Sequence, residues 1–338
     1  MPEGDTLFRT AEVLRAVLVG RPIAAARGRA GGSRLGMLEG RTVERVEARG
    51  KHLLVQTSGG LTLHTHLGMH GSWHRYRTAE PWRRAARDAV AVIEVPGAVA
   101  VCFSAPTVEL LETRALALHP ILSRLGPDLL AAADLPRTPD LTRTPDLPRT
   151  PDLRRTSDGA GGGHSGDGVS AVEDSAVEGS AAEDSEVLRR LRDPARATLD
   201  IGDALLDQRA VAGIGNVYRS EVCFIERVDP FTPVSALDDP TLARLVRAAR
   251  RLLRANAHGP FRTTVNVTAE DVTAVGVPAA LGTRLWVYGR TGRPCRRCGS
   301  PVRSRVSGSH ARRVYWCPVC QPPVTSVGSA DGGGPVMI

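Results

Sequence analysis

Lysine is almost missing from this 338-residue chain. Its 44 basic residues are 43 arginines and one lysine, Lys51, in the stretch ARGKHLLV at 48–55. Codon bias alone can thin out lysine, so Lys51 gains meaning only if other residues make it part of a site. Also missing is any apolar run near the roughly 20 residues that span a bilayer, which excludes a helical membrane anchor. The opening MPEGDTLFRT lacks the basic start and apolar stretch of a secretory signal, so the expected compartment is the cytoplasm. Aromatic residues are only 4%, against an ordinary hydrophobic share of 42%. Acidic residues vanish between Arg284 and Arg313, a span that holds nine arginines.

What is present is basic. A formal charge of +8 and a pI near 9.7 suit a polyanionic partner, most often nucleic acid. The length favours two or three domains over a single core. Six cysteines occur. Cys102 and Cys223 lie in apolar stretches and read as small buried hydrophobes. Cys295, Cys298, Cys317 and Cys320 form two CxxC pairs, a spacing that in a cytosolic chain indicates structural zinc rather than disulfides. Gly308 can turn a hairpin between the pairs, and His310 is a spare ligand that four thiolates make unnecessary.

Hydrophobic periodicity divides the chain. DTLFRTAEVLRAVLVG reads as an amphipathic helix with Leu7, Ala11, Leu14 and Leu18 on one face, capped by Asp5 or Thr6 and ended by Gly20. From Arg41 to about Phe103 the period is two. Six short strands are expected there, with SGG at 58–60 as a hairpin turn, giving a β-sandwich or barrel behind one helix. From about 131 to 187 a six-residue DLPRTP-type repeat and an acidic run carry no apolar period, which predicts a disordered linker. From EVLRRLRDP to about Ala257 the pattern is helical again, with PTLARLVRAARRLLRANA one strongly basic helix. The last stretch, from 323, reads as a loose tail.

Two further motifs bear on chemistry. In LLDQRAVAGIGNVYRSEVCF (205–224) a helix runs into AGIG and a new helix begins near Asn216. Glycines there let backbone approach a phosphate, which a helix N-terminus attracts. In MPEG, proline at position 2 permits removal of Met1 and exposes a secondary amine. That amine can form an iminium, and Glu3 beside it can shuttle protons.

MPEGDT, RGKHLL, LHTHLGMHGSW, HPILSRLGPDLL, AGIGNVYRSEVCF, LWVYGRTGRPCRRCG and YWCPVCQ together resemble the formamidopyrimidine-DNA glycosylase and endonuclease VIII family of repair enzymes. The resemblance implies an α+β multidomain fold. An N-terminal helix and two-layer β-sandwich (1–130) would be followed, after the linker (131–187), by a helix-two-turn-helix domain (188–283) and a C-terminal zinc-ribbon finger (284–322), with 323–338 a disordered tail. It implies Pro2 as nucleophile, Glu3 as general acid/base and Lys51 on the flipped nucleotide's phosphate. Asn216 would hold a neighbouring phosphate, and Arg312, or else Arg313, would be the finger arginine. Met69 with His70 would fill the hole left by the extruded base. Many relatives carry a second glutamate at position 6, where this chain has Thr6.

The expected function is a bifunctional DNA glycosylase and AP lyase with one structural Zn2+. It would act as a monomer on duplex DNA containing damaged bases or abasic sites, associated with the nucleoid when bound. Oxidised pyrimidines are the expected substrates, because FSAPTVELLETRALALHPILSRLGPDLL resembles the endonuclease VIII branch and lacks, between Phe103 and Leu118, the Arg-x-Phe-Gly-type wedge of the purine-specific branch. HLGMHGSW leans instead towards oxidised purines such as 8-oxoguanine and formamidopyrimidine. The competing class is a non-catalytic damaged-DNA-binding protein, for which a free proline next to glutamate has no use.

Overall fold

A computed structural model describes residues 2–28, 32–131, 182–259, 261–265, 284–308 and 311–323. Helix α1 (Gly4–Leu18) opens the chain, and Leu7, Ala11, Leu14 and Leu18 are all buried on its inner face. Each such leucine contributes roughly 1.5–3 kcal/mol by leaving water. The expected cap is not used: α1 starts at Gly4 with Glu3 in the cap position, so Asp5 and Thr6 lie within its first turn, and Asp5 pairs with Arg262.

Eight strands follow: β1 (Ala25–Arg27), β2 (Val43–Arg49), β3 (His52–Thr57), β4 (Leu61–His66), β5 (Ser72–Arg77), β6 (Ala89–Val95), β7 (Ala98–Phe103) and β8 (Thr107–Glu112). They form two antiparallel sheets, β1-β6-β7-β5 and β2-β3-β4-β8. The turn at 58–60 joins β3 to β4 as expected. Alternation sends Leu53, Val55 and Leu63 of one sheet, and Ala91, Ile93 and Cys102 of the other, into a shared core with α1. Strands β1 and β8 were not anticipated from the period.

The helical part comprises α2 (182–191), α3 (Ile201–Ala204), α4 (Asn216–Ile225) and α5 (Asp239–Ala255). Helix α2 begins inside the stretch read as linker, so 182–187 are helical, and Glu183 and Asp184 pair with buried Arg250 of α5. The remainder of that stretch, 132–181, lies outside the described residues, as do His310 and 324–338. Asp238 caps α5 by accepting from the Thr241 amide at 2.9 Å, a contact worth about 1 kcal/mol. Phe8 of α1 enters the helical core, and Arg9 donates to the Gly259 carbonyl at 2.8 Å. The first helix therefore packs against both parts.

The C-terminal hairpin pairs β9 (Arg303–Ser307) with β10 (Arg312–Trp316), and Gly308 makes the turn at φ +77°. Its small core packs Val287, Val302 and Cys317 on Phe224 of α4. Glu221, buried in the same helix, accepts from the amides of Trp286, Val287 and Tyr288 at 2.8–2.9 Å. One carboxylate thus pins the hairpin's lead-in to α4. Among the described residues no helix is long and apolar enough to cross a membrane.

Candidate active site

The N-terminus docks on the start of α4. Glu3 is fully buried, and its carboxylate accepts from the amides of Gly215 (3.0 Å), Val217 (2.8 Å) and Tyr218 (3.3 Å). These are the amides that a helix start leaves unpaired, and the helix dipole favours a negative charge there. The Gly4 amide donates to the Gly213 carbonyl at 2.9 Å. Gly213 has φ +101°, and a Cβ on Gly215 would lie 2.3 Å from Glu3 Cδ. The AGIG glycines therefore admit the chain's own N-terminus. This corrects the expectation of free amides waiting for a phosphate, since Glu3 already occupies them.

Two charges flank this dock. Asp5, with no exposure, is paired with Arg262, whose guanidinium also lies 4.0 Å from Glu3 and 5.0 Å from the Tyr218 ring centroid. Arg262 donates to Thr6 as well, at 3.1 Å. Thr6 and Asp5 thus share one guanidinium, that of Arg262. No sequence motif marked Arg262; the contact depends on a segment more than 250 residues away.

Lys51 follows the Gly50 turn, whose amide donates to half-buried Asp128 at 2.6 Å. Its ammonium reaches across to the Ile214 carbonyl of the AGIG loop. Burial brings its pKa down to about 8, against the pull of Glu3 and with help from Arg312 and Arg262. Such a lowering is open to an ammonium and not to a guanidinium, which stays charged.

The hairpin closes the other side. Asn216 Nδ2 donates to the Arg313 carbonyl at 3.1 Å, while its Oδ1 is buried without a partner. Arg219, fully buried, joins Asp203 (2.7 Å) to the Arg312 carbonyl (3.2 Å). Strand alternation then separates the two arginines. Arg313 is exposed and bonds Ser304 at 3.1 Å, whereas Arg312 is close enough to Lys51 and His66 to lower both their pKa values.

Two family models match the chain, the formamidopyrimidine-DNA glycosylase N-terminal domain over residues 1–106 and the H2TH domain of the same enzymes over 180–264. A probable endonuclease 8 2 of Streptomyces coelicolor is 36% identical over 324 residues, covering 95% of this chain and 94% of that one. The chain belongs to the formamidopyrimidine-DNA glycosylase family. The DNA-(apurinic or apyrimidinic site) lyase Nei2 of Mycolicibacterium smegmatis is 33% identical, over 95% of this chain and 99% of its own. Among solved structures, Lactococcus lactis Fpg bound to DNA containing N7-benzyl-Fapy-dG superposes with a TM-score of 0.66 at 19% identity, covering 95% of this chain and all of the other. Thermus thermophilus MutM does so with 0.64 at 26%, covering 95% and 99%.

In this family member the remaining expected residues fall at the rim. Met69, 59% exposed, and His70 sit on the turn between β4 and β5, where Arg84 donates to the His70 carbonyl at 3.3 Å. Pro2 is half-buried beside Glu3. At the finger, the four cysteine sulfurs lie within 4.8 Å of one another, with Cys298–Cys317 at 3.4 Å and Cys295–Cys320 at 3.9 Å. Four thiolates on a tetrahedral ion stand about 3.8 Å apart, so this set fits a metal with no open position.

Proposed function

We propose that this protein is a bifunctional DNA glycosylase and AP lyase of base-excision repair that removes oxidised pyrimidines. The observation that carries the reading is the burial of Glu3 on the α4 N-terminus directly after Pro2. Processing of Met1 would leave Pro2 as a secondary amine next to a carboxylate whose position is set by three amides.

The target nucleotide is first extruded from the duplex, at an unstacking cost of a few kcal/mol that damage reduces. Met69 and His70, exposed on one turn, would take the vacated space. Lys51 would meet the extruded nucleotide's phosphate, and Arg312 would approach from the finger. Asn216 Nδ2 carries two hydrogens, so it can keep its bond to the Arg313 carbonyl and still donate to a neighbouring phosphate. Pro2 attacks the sugar's anomeric carbon and the base departs with the bonding pair and a proton supplied through Glu3; the C1′–O4′ bond then opens, O4′ taking up the proton that the Pro2 amine gives off, and the resulting iminium permits β- and then δ-elimination. The bound Zn2+ would hold the finger through Cys295, Cys298, Cys317 and Cys320 and take no part in chemistry.

The sequence HLGMHGSW favours a second reading, in which oxidised purines are the substrates. A panel of single-lesion duplexes separates the two: faster excision of 8-oxoguanine opposite cytosine than of 5-hydroxyuracil or thymine glycol selects the purine reading. Borohydride should trap the wild type on abasic DNA. Blocking the terminus with a retained N-terminal extension should abolish the adduct, whereas Lys51→Ala should still form some. The reverse pattern would move the nucleophile to Lys51, and a protein that neither traps nor nicks would be a damage binder.

A further inference from the structure

The outer face of the β2-β3-β4-β8 sheet carries a row of polar side chains that the site above does not use. Register puts them there. His52 faces His66 across β3 and β4, while Leu54 faces His64, which in turn faces Glu109 on β8. This face lies opposite the one that sends Leu53, Val55, Leu63 and Val108 into the sandwich core. The segment after β8 folds back over it, packs Leu116 and Leu122 on Leu54, and sets His119 beside Glu109.

His52 Nδ1 lies 2.8 Å from His64 Nε2, His64 Nδ1 lies 2.9 Å from Glu109 Oε2, and His119 Nε2 lies 3.2 Å from the same oxygen. The partners decide the tautomers. The amides of Ile121 and Leu122 donate to His119 Nδ1 at 3.3 and 3.2 Å, so its proton sits on Nε2 and goes to Glu109. An ionised carboxylate only accepts, so His64 carries its proton on Nδ1 and its Nε2 accepts from His52 Nδ1. His52 keeps a bare Nε2. From His52 through His64 to Glu109 the bonds run in one direction. The same pattern opposes a metal among His64, Glu109 and His119, because a neutral imidazole bound through Nε2 needs its proton on Nδ1, where two amides already point.

The ends of the row differ. The Glu109 side chain is 43% exposed, while His64 has 1% exposure. At the inner end His52 directly follows Lys51, and its ring lies 4.8 Å from that of His66. Lys51, His64 and Arg312 act on His66; His66, His64, His119 and Lys51 act on His52. Burial first, then these neighbours, holds His52 at about 3, so its ring rests neutral.

We propose that His52, His64 and Glu109, with His119 as the anchor, form a proton relay between the reaction site beside Lys51 and solvent. The proposal rests on the lyase reading, whose elimination steps release a proton at that site. When the sugar C2′–H bond breaks, its electron pair neutralises the iminium; the C3′–O bond then breaks and the phosphate leaves. The freed proton bonds to His52 Nε2 as the His52 Nδ1 proton passes to His64 Nε2. The His64 Nδ1 proton passes in turn to Glu109, which gives it to water. Both rings end in the opposite tautomer, and a proton returned from the outer end to the reaction site restores them.

The test is single-turnover nicking of an abasic duplex by full-length, zinc-loaded protein at fixed pH and ionic strength, over a series of imidazole concentrations. The wild-type rate should not depend on imidazole. His64→Gln should lose about tenfold, roughly 1.4 kcal/mol, and regain it as imidazole rises, with DNA affinity unchanged. Glu109→Gln, at the exposed end, should show a smaller loss and the same rescue, and it carries the test if His64→Gln does not fold. Undiminished rates in the variants, or losses that imidazole leaves untouched, would overturn the relay. So would a wild-type rate that rises on adding Zn2+ or Ni2+, which would make the cluster a metal site. A wild type that does not nick at all overturns the lyase reading and the relay with it.

Discussion

Gly215→Ala tests whether the N-terminal dock, rather than loop flexibility, sets the rate. Gly215 has φ −123° and ψ −165°, an extended conformation that alanine adopts freely. Backbone strain is therefore not the issue. The added methyl would lie 2.3 Å from Glu3 Cδ, 2.5 Å from Cγ and 2.6 Å from Oε1. Carbon atoms in contact rest about 3.5–4.0 Å apart, so the carboxylate must retreat by more than an ångström. Three amide bonds to a charged acceptor are then stretched or lost, each worth about 1.5–3 kcal/mol. Partial relaxation and water should leave a net stability loss near 3 kcal/mol. Displacing a reacting group by about 1 Å costs roughly a hundredfold in rate. Single-turnover nicking of an abasic duplex should fall by about that factor while bound zinc is unchanged. The melting temperature supplies the control: a Glu3→Ala background removes the three atoms nearest the added methyl, so Gly215→Ala should then cost less. A nicking rate within about threefold of wild type would refute the reasoning, as would equal stability losses in both backgrounds.

Lys51 predicts a pH effect with a definite sign. Its folded pKa is lowered to about 8, so its charge is present below that pH and is lost as pH rises through it. Affinity for an abasic duplex should weaken across that range in wild type and less steeply in Lys51→Ala, measured at constant salt. For folding, the same shift is a penalty that is full below about 8 and lifts as pH climbs towards 10.5. Chelation or Cys317→Ser should release one equivalent of metal and abolish DNA binding while the sandwich stays folded by circular dichroism; full affinity in metal-free protein would contradict this. Replacing 134–181 by a short Gly/Ser bridge should leave nicking within about tenfold. Extending the deletion to 185 removes two of the acidic partners of buried Arg250 and should lower stability by roughly 1.5–3 kcal/mol, the worth of a hydrogen bond to a charged group, in a denaturant titration.

Much of this protein was written in local pattern. The 3.6-residue period of α1 placed Leu7, Ala11, Leu14 and Leu18 inside, and strict alternation placed the strands β2 to β7, because burial rewards these periods whatever the rest of the chain does. Two CxxC pairs marked a finger because a metal constrains ligand spacing within one short segment. The MPE opening and the lone lysine were visible as candidates for the same reason: each is a local arrangement of chemistry.

The tertiary structure decided where those groups meet. Glu3 caps a helix that starts more than 200 residues later, and Asp5 pairs with Arg262. Lys51 is pressed against the AGIG loop hard enough to lower its pKa. No periodicity encodes such contacts, because the energy of a buried charge depends on which distant segment supplies the partner. The histidine row shows the division most plainly. His64 and His66 are two residues apart in LTLHTH and so share a face by sequence alone, yet their partners His52, Glu109 and His119 come from strand pairing and from a segment folded back over the sheet. Alternation sets which way a side chain points, and only the assembled sheet sets what it points at.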